Sequence, residues 1–139
     1  MIERIVGCCL LASFGLVAGC ATPVSKLGDE EFVWTNAYVP TNYQQTYRNM
    51  KQGLDVCGSA FAVESNLYTD INEGVMVLYL KNLLGGNNGF VYGKIQLNKE
   101  SEGTRVRIGV QTVYAKPVFG SSKAGETMLK FANGAYDCE

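Results

Sequence analysis

The 139-residue chain contains no histidine, and that absence excludes more chemistry than any motif adds. Without an imidazole there is no Ser-His-Asp triad, no Cys-His pair and no His-ligated zinc. The sequence also lacks Cys-x-x-Cys, Gly-x-Ser-x-Gly and Ser-x-x-Lys, which removes the redox dithiol and the common serine-nucleophile arrangements. Charge of either sign is scarce and evenly spread. Twelve Lys and Arg stand against 13 Asp and Glu, for a net charge of −1. No basic block marks a nucleic-acid footprint, so nucleic acid is not expected as a partner. The acidic triplet Asp29-Glu30-Glu31 reads as a solvated spacer and not as a calcium site. The carboxylates Glu64, Asp70, Glu73, Glu100, Glu102 and Glu126 fall mainly in turns or on outer faces, where most should be solvated, which leaves a carboxylate pair at glycosidase spacing as the one enzymatic option still open. No catalytic residue, metal or cofactor is therefore assigned.

What is present begins at the amino terminus. Met1 to Arg4 is a short polar lead, and Ile5 to Ala18 follows without a charge. At about 1.5 Å of rise per residue this run is too short for the ~30 Å hydrocarbon core of a bilayer. A basic lead, a short apolar centre and a small-residue exit make a secretory signal peptide. The exit, Val17-Ala18-Gly19-Cys20, resembles the lipobox of bacterial lipoproteins. The resemblance covers residues 1–20 only. It implies that Cys20 is acylated and becomes the first mature residue. It further implies that the protein is tied to the membrane through that lipid, and that Ala21, standing where an Asp would retain it at the inner membrane, sends it to the outer membrane of a diderm cell. More than one acyl chain is needed for stable anchoring, and the class carries several. The alternative is an ordinary signal peptide with an incidental Cys. Removing residues 1–19 leaves 120 of the 139 residues, enough for one domain with one core.

Five cysteines then sort themselves. Cys8 and Cys9 lie in the removed segment and Cys20 takes the lipid, so Cys57 and Cys138 remain. In an oxidising periplasm a lone pair in a small domain reads as a disulfide, and closing so long a loop stabilises by roughly 4 kcal/mol on a chain-entropy model. Two thiolates without a His do not complete a tetrahedral metal site.

Residues 20–36 carry Pro, Ser, Gly and acids and read as a tether, with residues 37–139 as the single domain. Phe32, Val33 and Trp34 interrupt the tether as a short strand, a plug or an exposed contact. Thr41 followed by Gln44 predicts a capping box, and Tyr43, Tyr47, Met50 and Leu54 then mark one face of a helix that stops at Gly58. Four strands follow. Phe61–Tyr68 alternates, and Val75–Leu80 is apolar on both faces. Phe90–Asn98 places Val91, Gly93, Ile95 and Leu97 together, and Thr104–Ala115 alternates most clearly of all. Between the second and third strands, Leu83–Gly89 reads as a hairpin loop, made mobile by Gly85-Gly86, and not a phosphate cradle, since no Lys-Ser/Thr follows it; Gly85–Gly89 is a second, weaker candidate contact. After Pro117 and Gly120, Ser121 or Ser122 caps a second helix whose face is Met128, Phe131, Ala132 and Ala135.

The expected fold is a two-layer α+β sandwich: an antiparallel four-stranded sheet with two helices on one face, in the order α-β-β-β-β-α. Bridging Cys57 to Cys138 sets the carboxyl ends of the two helices side by side. The uncovered sheet face should show Lys94, Gln96, Arg105, Arg107 and Gln111, with Tyr92 and Tyr68 beside them. Arg and Tyr are enriched at binding hot spots. The same face could equally be merely solvated. Three functions remain open. The first is a non-catalytic outer-membrane lipoprotein that docks an envelope protein or scaffolds an assembly. The second is a small envelope inhibitor or ligand binder, for example of a cell-wall hydrolase. The third is a carboxylate-based hydrolase.

Overall fold

A computed structural model describes residues 27–82, 87–115 and 121–138. Cys20 and the amino-terminal segment lie outside the described residues, as do residues 83–86 of the expected loop, whose remaining residues Asn87–Gly89 are strand and not loop because Asn87 pairs with Lys81. The chain folds as an α+β sandwich. A 3-10 turn at Asp29–Glu31 leads into β1 (Phe32–Val39), α1 (Tyr43–Cys57), β2 (Phe61–Tyr68), β3 (Glu73–Lys81), β4 (Asn87–Glu100), β5 (Gly103–Gln111) and α2 (Ser121–Ala132). All neighbours in the sheet are antiparallel, and the order is β1-β5-β4-β3-β2.

The sheet has five strands, not the expected four. The extra one is β1, which pairs with β5 from Phe32↔Gln111 to Val39↔Thr104. Its sequence is rich in aromatic and β-branched residues, which suit a pleated surface. Both of its faces carry apolar side chains, so the alternation that marks β5 is absent, and acids immediately precede it. The stretch 32–36, expected to be tether, is therefore sheet edge.

Both helices cover one side of the sheet. Met50 and Leu54 of α1 and Met128 and Phe131 of α2 pack on Met76, Leu78, Ile95, Leu97, Val106 and Ile108. Helix α1 has the expected face, with Tyr43, Met50 and Leu54 buried and Tyr47 half-buried. Its cap sits one residue later than expected. Asn42, not Thr41, is the N-cap, and its Oδ1 accepts from the backbone N–H of Gln45 at 2.9 Å. Thr41 has another role: its carbonyl accepts from the Thr104 hydroxyl at 2.6 Å, and the Thr46 hydroxyl lies 3.1 Å from that of Thr104. Thr46 and Thr104 are fully buried, and this small network satisfies both while tying the start of α1 to the start of β5.

The two helices meet closely at Gly53, where a Cβ would fall 2.3 Å from Phe131 Cγ. Asn49 Nδ2 also donates to the carbonyl of Ala132 at 3.2 Å. Helix α2 ends at Ala132, short of the expected Ala135, which is exposed; Gly134 follows the helix with φ of +82°. The disulfide joins Cys57, the last residue of α1, to Cys138 beyond α2, with the Cα atoms 5.2 Å apart.

Two expectations about the strands are corrected. Strand β5 ends at Gln111, and residues 112–114 turn away, with the Tyr114 and Ala115 amides donating to the Gln111 carbonyl. In β4 a bulge intervenes. Leu78 pairs with Gly93 but Tyr79 pairs with Val91, so one extra residue, Tyr92, is inserted. Val91 therefore faces the side opposite to Ile95 and Leu97, where it joins Phe32, Val77 and Tyr79.

A candidate binding face on the helix-free side of the sheet

Strand pairing sets the helix-free face out in rows. One row runs Trp34–Gly109–Lys94–Val77–Glu64, and the next runs Asn36–Arg107–Gln96–Val75–Asn66. Towards the start of β1 the face is apolar, with Phe32, Val77, Tyr79 and Val91 buried and Leu27, Trp34, Ala62 and Val75 packed against them. Towards the end of β1 it becomes polar. The face is thus neither bare nor uniformly solvated.

Trp34 and Arg107 form its centre. The indole lies flat over β5 because residue 109 is Gly; a Cβ there would stand 2.9 Å from Trp34 Cζ3. The Arg107 guanidinium sits 4.3 Å from the Trp34 ring centroid, a cation–π distance. Arg107 Nη1 donates to Gln96 Oε1 at 3.0 Å, and Nη2 reaches Asp29 Oδ2 at 3.2 Å. The indole N–H donates to the carbonyl of Asp29 at 3.0 Å. Lys94 is half-buried in the same row as Trp34 and makes no ion pair among the described residues.

Of the residues expected on this face, Arg107, Gln96, Lys94 and Gln111 lie there, with Arg107 and Gln96 in direct contact. Arg105 is also on it but turns away to Glu100. Their side chains form an exposed ion pair, and the Arg105 hydrogen bond holds the Glu100 carboxyl below its ordinary range. Tyr68 is exposed at the far edge. Tyr92 is not on this face. The bulge carries it to the helix side, where its ring lies 4.6 Å from Phe61 and 5.5 Å from Tyr114, and burial raises its hydroxyl pKa.

Sequence reasoning missed Trp34 as the centre of the face, together with Leu27 and Asp29 against it. The signal was present in Phe32-Val33-Trp34, whose aromatic residues recur at spacing two. Tyr79 was missed as well. Its hydroxyl donates to Glu64 Oε2 at 3.2 Å, and its pKa is raised, first by burial and then by the charge of Glu64.

A second concavity of about 300 Å³ opens on the helix side, lined by Leu54, Phe61, Tyr92, Met128 and Phe131 with the disulfide at its rim. No group of three or more His, Cys, Asp or Glu is placed to hold a metal among the described residues.

No family model matches the chain, and no curated protein matches it. One solved structure, the protein TTHA0849 from Thermus thermophilus, shares 16% identity over 74% of this chain and 89% of its own, with a TM-score of 0.28. A likeness that low carries no argument about fold or function.

Proposed function

We propose that this protein is an outer-membrane lipoprotein, anchored through acylated Cys20, whose small non-catalytic domain binds an envelope protein through the helix-free sheet face. The observation that carries the reading is the Trp34–Arg107–Gln96 cluster with Lys94 beside it. Trp and Arg are the side chains most enriched where partners bind tightly, and here they are preorganised on rigid strands. The disulfide suits an oxidising compartment. No described helix is long and apolar enough to cross a membrane, and in this reading the lipid is the anchor. From Cys20 to Leu27 the chain spans at most about 25 Å, at roughly 3.3–3.6 Å per residue, so the face is held near the bilayer.

Two measurements test the reading. The intact mass of the native protein should correspond to a chain starting at Cys20 plus several acyl chains; a chain still beginning at Met1, or an unlipidated Cys20, removes the anchor. In cells, a photoreactive residue at exposed Asn36 should capture an envelope protein, and the absence of any adduct removes the partner.

The helix-side concavity supports a second reading, a binder of a small apolar ligand. Saturable uptake of an apolar fluorescent probe, lost on Phe131→Ser but not on Arg107→Ala, would favour it.

A further inference from the structure

The face proposed to bind a partner already has an occupant, the segment Leu27–Glu31. Three contacts of different kinds hold its first three residues on the face, and the Glu31 carbonyl accepts at the sheet edge from the Thr112 amide at 2.8 Å and hydroxyl at 2.6 Å. Leu27 packs on the apolar cluster of Phe32, Val77, Tyr79 and Val91. The Asp29 carboxylate meets Arg107 at 3.2 Å, and the Asp29 backbone carbonyl accepts from the Trp34 indole at 3.0 Å. An aliphatic side chain, a carboxylate two positions later and a main-chain carbonyl form the contact set of a bound peptide.

We infer that residues 27–29 are a built-in stand-in for the partner, and that the partner engages this face with an acidic segment bearing an aliphatic residue two positions before a carboxylate, displacing residues 27–29 as it binds. The inference rests on the partner-binding reading above.

Charge on the face supports it. Arg107 and Lys94 flank Trp34, but the segment supplies Asp29 alone as a paired carboxylate, since Lys94 has no ion pair among the described residues. The other acids nearby are engaged elsewhere. Glu64, at the end of the Trp34 row, accepts from Tyr79, and Glu100 holds Arg105. The surplus cation suits an incoming segment with more than one carboxylate. The hold at Asp29 is also weak. Asp29 is 62% exposed, and ion pairs that open to solvent contribute little. Displacement has a consequence for reach, because the same segment continues towards Cys20. Freeing three residues adds up to about 10 Å of tether.

The test uses Trp34, the only tryptophan in the chain, so its emission reports on this site alone. In the purified full protein, Leu27→Ser with Asp29→Asn should shift the emission to longer wavelength. A capped synthetic peptide, Leu-Gly-Asp-Glu-Glu, should reverse that shift saturably. Adding Arg107→Ala should raise the half-saturating concentration at least tenfold, and a peptide with Ser for Leu and amides for the acids should do nothing. Asp29→Asn alone, at a solvent-exposed site that leaves the core intact, should shift the emission in the same direction with smaller amplitude. Emission unchanged in both variants, no response to the peptide, or an equal response to the control peptide each overturns the inference. Where the Asn36 adduct still forms in cells, only the stand-in role is lost; where it does not, the partner-binding reading fails as well.

Discussion

Replacing Cys57 and Cys138 together by Ala isolates the term that most constrains this domain. The bridge closes a loop with a sequence separation of 81 residues. Chain entropy over that loop corresponds to about 4.5 kcal/mol at 25 °C, within the 2–5 kcal/mol range for native disulfides in small secreted domains. A domain of this size has a net stability of only about 5–15 kcal/mol, so the loss is a large part of the total. Little native packing should be lost with it. The ends of the helices are also joined by Phe131 against Gly53, by Asn49 to the Ala132 carbonyl and by the Tyr136 hydroxyl, which donates to Gln52 at 3.2 Å. The effect should therefore appear chiefly in the denatured state. In equilibrium urea unfolding under oxidising conditions, the double variant should show a lower midpoint and a steeper slope, because the uncrosslinked chain exposes more surface when unfolded. A stability within about 0.5 kcal/mol of the parent, or free-thiol labelling of both cysteines in the oxidised parent, would refute the reasoning.

Three further outcomes follow from the packing and the charges. Gly53→Ala gains up to about 1 kcal/mol of helix propensity, but its Cβ would meet the Phe131 ring, and overpacking costs about 1–3 kcal/mol; thermal unfolding should show net destabilisation, while Gly53→Ala with Phe131→Leu should recover part of it. Thr104→Val removes one of the two hydroxyls on the Thr41 carbonyl and leaves that of Thr46 at 3.2 Å, so it should cost about 0.5–1.5 kcal/mol by denaturant titration, whereas Thr112→Val, on an exposed hydroxyl, should cost less. The Glu100 pKa is lowered in the fold, so its contribution is present above the ordinary carboxylate range and is lost as pH falls through the folded value; the Tyr79 pKa is raised, so its contribution is present at neutral pH and is lost as pH rises past the ordinary tyrosine range. Arg105→Gln should flatten the acid limb of a stability–pH curve and Tyr79→Phe the alkaline limb, and an unchanged limb in either variant counts against the corresponding contact.

Much of the fold is legible in the sequence because its signals are local. Period two along Arg105–Gln111 and period 3.6 from Tyr43 to Leu54 each mark an element with one buried face. The pairing of Cys57 with Cys138 follows once the other cysteines are assigned elsewhere. What escaped reading depends on context beyond the window. Strand β1 is apolar on both sides because its second face meets Leu27 and the Phe32 cluster, so its alternation vanishes. Asn42 and Thr41 are adjacent capping types, and only the fold shows that Asn42 Oδ1 takes the Gln45 amide while the Thr41 carbonyl takes the Thr104 hydroxyl. The binding face was half legible. Arg107, Gln96 and Lys94 fall on it by simple alternation, but Tyr92 does not, because alternation holds only without insertions and the β4 bulge supplies one. Trp34 and Asp29 take their places only through β1, whose one sequence signal is the spacing of two between Phe32 and Trp34.

The most direct measurement compares two faces of the lipidated protein in living cells. A photoreactive residue is placed at Asn36, beside Arg107 on the sheet face, or at exposed Val56 on α1. Partner binding through the sheet face predicts one discrete envelope-protein adduct from position 36, lost when Arg107→Ala is added, and none from position 56. Adducts of equal yield from both positions, or an adduct at position 36 indifferent to Arg107→Ala, would contradict it.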